Sequence, residues 1–182
     1  MNPVARYTAH ADPRTASANL IALVVAANGP FYPIYVLALI GWNHPGAWLT
    51  MLASPLFALV PALSRQHMRA ARAALPLIGI ANTWWCSALL GSASDVEFFL
   101  MPCVVLPALL FDDAERPLGL AIIVLAIASL IQLTEFPFAG LLHLNTDDAA
   151  ALARLNAISV ATLLGFIALT LGKLLRAPAP VT

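Results

Sequence analysis

The residues best suited to chemistry gather in one stretch, Asn82–Phe111, which holds Trp84, Trp85, Asp95, Glu97, Phe98 and Phe99 around a short loop. Two indoles, two carboxylates and two phenyl rings make a recognition corner. Adjacent residues of a helix point about 100° apart, so Trp84 and Trp85 cannot both face lipid and at least one turns inward. Tyr32, beside Asn28-Gly29-Pro30, and Glu135, at the end of a later apolar run, extend the group. The candidate ligand-binding set is Tyr32, Trp84, Trp85, Glu97, Phe98 and Glu135. Glu97 and Glu135 fall at the ends of apolar segments, where a carboxylate reaches interfacial water or pairs with Arg154; at mid-depth they would mark a proton or ion pathway. Catalytic patterns are missing: the chain has no GxSxG, HExxH, Walker A or GxGxxG, and its only lysine, Lys173, lies at the end of the last apolar run. No enzymatic activity is expected. His44 and His143 are of types that suit zinc or copper, but no HxxH, HxxxH or CxxC spacing organises them, so neither metal nor cofactor is expected.

The elements that carry these residues belong to a membrane protein. Hydrophobic residues make up 61% of the chain and charged ones 10%, against roughly 25% charged in a soluble domain. A span needs about 20 mostly apolar residues to cross the hydrocarbon. Six segments approach this: Ser17–Gly41, Gly46–Leu63, Ala70–Gly91, Val96–Phe111, Pro117–Phe136 and Asp148–Leu175. Pro30 lacks an amide hydrogen and frees a carbonyl one turn back, which predicts a kink near Ala26. Cys86 and Cys103 fall inside predicted helices and read as two buried thiols.

Charge placement tests the count. Six crossings put Arg6, Arg14, Arg65, Arg69, Arg72, Arg116, Lys173 and Arg176 on one side and leave Arg154 alone on the other. By the positive-inside rule the cationic side is cytoplasmic and both termini lie there. The fold expected is therefore an all-α, multi-pass bundle of six transmembrane helices in a bacterial inner membrane. Its bundle is residues 17–175, with cytoplasmic tails 1–16 and 176–182. The opposite face carries Asp95, Glu97, Glu135, Asp147 and Asp148 and suits a cation or a neutral ligand. Most of the aromatics there, Trp42, Trp48, Phe136 and Phe138 among them, read as an interfacial belt.

On the sixth segment Ala149, Ala153, Ala157, Ala161 and Gly165 recur every four residues, a small-residue ridge of the kind along which helices associate in lipid. It serves packing within the bundle or self-association with a second copy or a partner membrane protein. Asn156, Ser159 and Thr162 run beside it, and with Asn28, Asn82 and Gln132 they read as interhelical polar contacts or as the lining of a polar pocket.

The run Glu97–Leu120 resembles part of the six-helix membrane sensor regions that precede bacterial adenylate cyclase, diguanylate cyclase and histidine kinase domains. The likeness lies in Phe98-Phe99 entering the fourth span, Pro102 and Pro107 within it, the Leu109-Leu110-Phe111 exit, the charged turn Asp112–Arg116, and Arg154-Leu155-Asn156 opening the sixth. Glu97 stands where such regions often carry histidine. The resemblance implies a receptor-like module that binds a small or lipophilic ligand near its outer face and relays occupancy through the sixth helix. With no catalytic domain after that helix, the output is expected from a partner chain. A small transporter or channel subunit, suggested by Pro30, Pro55 and Pro102, is the alternative, as is an accessory subunit packed against a larger complex. The bilayer is the expected surrounding, and no nucleic-acid partner is expected.

Overall fold

The computed structural model describes residues 2–175, and all regular elements among them are helical. A short α1 (Pro3–Thr8) precedes α2 (Pro13–Asn28) and α3 (Phe31–Ile40), followed by α4 (Ser54–Ser64), α5 (Met68–Leu90), α6 (Leu100–Leu110), α7 (Arg116–Glu135) and α8 (Thr146–Leu175). Short 3-10 turns, Pro45–Met51 and Val96–Phe99, lead into α4 and α6. Four helical stretches are long and apolar enough to cross a membrane: Pro45–Ser64, Met68–Leu90, Asp113–Glu135 and Thr146–Gly172. The pair α2 and α3, bent by 40°, makes a fifth if it is one span. The segment expected as the fourth crossing is shorter: a 3-10 turn of 4 residues and a helix of 11 rise only about 24 Å against a core of roughly 30 Å. Apolar side chains such as Leu59, Val124, Ile131, Ile158 and Leu169 stand more than half exposed around the bundle, as a surface facing lipid requires and one facing water avoids. The chain is thus a membrane-type helical protein. The side chain of Lys173, and the tail 176–182 with Arg176, lie outside the described residues.

The bend sits at Gly29-Pro30, a turn later than the sequence suggests. The Gly29 amide donates to both Val25 O and Ala26 O, so the carbonyl that Pro30 would leave bare at Ala26 is taken up and α2 stays straight to Asn28. Ser54 of α4 lies against Gly29: a Cβ there would collide with Ser54 Oγ. Along the same face Ala18, Ala22 and Ala26 are buried where α2 packs on α4, a small-residue seam that lets two backbones approach.

The expected ridge on α8 behaves differently. Ala149 is buried and Ala153 half-buried, but Ala157, Ala161 and Gly165 are exposed, and a Cβ on Gly165 would meet nothing within 4 Å. Each four-residue step overshoots a full turn by about 40°, so sixteen residues carry the row roughly 160° around the helix. The buried seam instead runs through Leu152, Asn156, Val160, Ile167 and Leu171, where the seven-residue step from Val160 to Ile167 falls about 20° short of two turns and takes back part of the overshoot. Over the eight residues of the α2 row the drift is half as large, and that row stays inside.

The two ends of the bundle differ in chemistry. At one end Arg72, 3% exposed, donates from Nη2 to Glu115 Oε1 at 2.7 Å and from Nη1 to Leu110 O at 3.0 Å. Asp12 Oδ2 lies 3.8 Å from the same Nη1, Arg69 Nε meets Glu115 at 2.7 Å, and Arg14 approaches Asp112. This cluster staples the entry of α2, the first turn of α5 and the α6–α7 turn. Asp12 also caps α2 through Thr15. Burial works to raise its pKa, but the bonds from the Thr15 hydroxyl and amide, with the Arg72 charge, hold it below the ordinary 3.8.

At the other end the segment after α7 lies across the last turn of α5. The amides of Leu141 and Leu142 donate to Ala88 O and Leu89 O, and the amide of Ser92 to Phe138 O, which satisfies carbonyls that a helix end leaves open. Gly91 and Gly140 touch there. Both have φ of +83°, and a Cβ on Gly140 would lie 2.7 Å from Gly91 N.

Candidate functional site

A cavity of about 460 Å³ lies inside the bundle, walled by α2, α3, α4, α5, α6 and α8. It separates two apolar clusters. Ile21, Phe57, Leu75, Leu106 and Ile167 belong to the one on the arginine side, and Val36, Cys86, Val96 and Leu152 to the other. The kink makes the space: bending at Gly29 turns α3 aside while α2 stays against α4. No charged side chain lines it among the described residues, yet its wall is studded with Asn28, Ser54, Asn82, Ser159 and several threonines. Cys86 and Cys103, both free, border it as well.

Tyr32 closes one end. Its hydroxyl donates to Asn156 Oδ1 at 2.7 Å, and Asn156 Nδ2 donates to Ser94 O at 2.7 Å. The Tyr32 ring stands edge-on to Phe99, with centroids 6.4 Å apart. Asn156 is fully buried, so α8 is tied to α3 and to the 91–95 loop by two hydrogen bonds inside an apolar setting. Among the described residues, this latch is the one place where a side chain of α8 hydrogen-bonds to another element of the cavity wall.

Of the six candidate ligand-binding residues, the structure puts only Tyr32 on the cavity wall. Trp84 turns inward but packs edge-on against Phe138, with centroids 6.1 Å apart. Trp85 is 39% exposed on the flank and donates its indole N–H to Leu49 O at 2.9 Å, a carbonyl within the 3-10 segment Pro45–Met51. Glu97 is buried with Oε2 unpartnered, yet it does not line the cavity; Phe98 is exposed beside it. Glu135 ends α7, exposed. The acidic and indole residues therefore form the rim of one end, and the cavity lies deeper.

The polar residues marked as interhelical contacts divide. Asn156 is such a contact, Asn28, Asn82, Ser159 and Thr162 line the cavity, and Gln132 is exposed. Ser54 and Phe166 belong to the wall and were not singled out by the sequence. A serine one residue before Pro55 reads as a helix start, and a phenylalanine in an apolar run carries no mark. The chain matches no family model, no curated protein and no solved structure.

Proposed function

We propose that this is a receptor-like module of a bacterial inner membrane, with six crossings and both termini in the cytoplasm. It binds a small lipophilic ligand between its helices and passes occupancy through α8 to a partner chain. The observation that carries this reading is the Tyr32–Asn156 latch: one side chain both lines the cavity and holds α8. A ligand that displaces the Tyr32 hydroxyl frees Asn156 and shifts the balance between two placements of α8. The signal equals the difference in the ligand's affinity for the two. The gathering of Arg14, Arg65, Arg69 and Arg72 at one end supports a cytoplasmic face there. The likeness of Glu97–Leu120 to sensor regions supports the same role. Against the transport alternative, Pro55 and Pro102 sit in the first turns of α4 and α6, so only Pro30 breaks an apolar pair.

The test needs no ligand. Spin labels at Leu169 on α8 and Leu59 on α4, both exposed, report the separation of the two helices in liposomes. Tyr32→Phe and Asn156→Leu should each move the distance distribution in the same direction. If both variants reproduce the wild-type distribution, the latch does not control α8 and the relay is wrong.

A further inference from the structure

The cavity's mouth says what enters it. Among all its lining residues only Val24, Asn28, Tyr35, Ile158 and Thr162 are exposed, and they belong to α2 and α3 on one side and to α8 on the other. The opening is therefore a slot in the flank of the bundle, between the first and last apolar segments. One end is closed by the bonds among Tyr32, Asn156 and Ser94, and the other by the buried floor of Ile21, Phe57, Leu75 and Ile167. In a membrane this slot faces hydrocarbon. Water-borne solutes do not reach it, whereas molecules dissolved in the bilayer meet it directly.

The lining then fixes the head group. The Thr50, Thr83 and Thr162 hydroxyls donate to their own helices, at Ala47 O, Gly79 O and Ile158 O. No hydrogen bond among the described residues engages the side chains of Asn28, Ser54 or Ser159, and Asn82 receives only the Cys86 thiol at 3.8 Å. Polar groups in hydrocarbon need partners, and here the partners must come from the occupant. With no side-chain charge to meet it, a charged head group would be left uncompensated.

Resting on the proposed binding role, we infer that the ligand class is an uncharged amphiphile drawn laterally from the bilayer, with a hydroxyl, carbonyl or amide head hydrogen-bonded between Asn28, Ser54, Asn82 and Ser159. Its apolar body fills the remainder toward Leu163 and Phe166. A volume of about 460 Å³ suits one such molecule.

Three photoreactive probes of equal chain length decide it, each a diazirine-bearing medium-chain alkane ending in a hydroxyl, a carboxylate or a trimethylammonium. Each is added to phosphatidylcholine liposomes holding the full chain, and the labelled residues are read by mass spectrometry. The alcohol should label cavity residues such as Leu163, Phe166 and Leu106, and unlabelled alcohol should compete. The charged probes should label there at least about tenfold less. Asn82→Leu, close to isosteric, should lower alcohol labelling about tenfold, the scale of one lost buried hydrogen bond. Ile158→Trp, at the mouth, should slow it without touching the head-group site. Equal labelling by the carboxylate, or alcohol labelling confined to the lipid-facing groove of Leu52, Leu56, Leu77 and Trp85, overturns the inference. Cavity labelling with no accompanying motion of α8 would leave this inference standing and remove the relay, so the two failures are distinct.

Discussion

Glu115→Ala is the sharpest probe of what holds the bundle. Arg72 and Glu115 are 3% and 4% exposed at their side chains and meet at 2.7 Å. Deleting one member of a buried pair leaves the other charged and desolvated, at a cost of about 3–5 kcal/mol. Arg72 would keep the Leu110 carbonyl and Asp12 at 3.8 Å, which places the cost at the low end, about 3 kcal/mol. For a chain of this size that corresponds to a fall in Tm of about 6–12 °C. The buried thiols of Cys86 and Cys103 supply the assay, since a fluorogenic maleimide reacts with them as the detergent-solubilised protein opens on heating. Arg69→Ala is the control: Arg69 binds the same carboxylate but is 68% exposed, so its loss should cost less than about 1 kcal/mol. The double variant Arg72→Met with Glu115→Met should recover most of the loss, because an apolar pair of similar volume leaves no stranded charge. A Glu115→Ala shift no larger than that of Arg69→Ala, or a double variant as unstable as the sum of its singles, would refute the staple.

Two further outcomes follow from backbone and capping. Gly91→Ala should lower the Tm, because its φ of +83° with ψ of 155° is a backbone that essentially only glycine adopts and its Cβ would lie 2.8 Å from Ala139 O; the backbone strain alone costs about 1–3 kcal/mol. Gly165→Ala, in open space within α8, should be neutral or stabilise by up to about 1 kcal/mol. The thiol-protection melt separates the two. Asp12 has a lowered folded-state pKa, so its contribution is present above the ordinary carboxylate value of 3.8 and disappears as pH falls through the lower folded value. Asp12→Asn keeps a capping side chain but no titrating group. Melts of the two proteins should differ near neutral pH and converge in strong acid; a constant gap would show that Asp12 does not act through its charge.

Much of this architecture can be read in the residue string because lipid forces it. Apolar length marks four of the six expected segments, with the bent pair of α2 and α3 a fifth. What could not be read depends on angles that accumulate. The α8 row from Ala149 to Gly165 looks continuous in a sequence, but its drift carries it off the buried face, while the shorter Ala18–Ala22–Ala26 row stays in. The rim of Trp84, Trp85, Glu97, Phe98 and Glu135 drew attention through residue type. The cavity is built largely from ordinary side chains that the Gly29 bend separates. Arg72 looked like one more surface arginine, and its neighbours Ala71 and Ala73, both buried, were the signal that it points inward.

That arginine also bears on how the protein is made. Its partners come from positions 12, 110 and 115, so the contact has no complete form until translation has passed the turn before α7. Until residue 115 is made, Arg72 has no Glu115 to pair with, and a lone guanidinium is costly to bury. A chain truncated ahead of residue 115 therefore lacks the carboxylate that clasps Arg72.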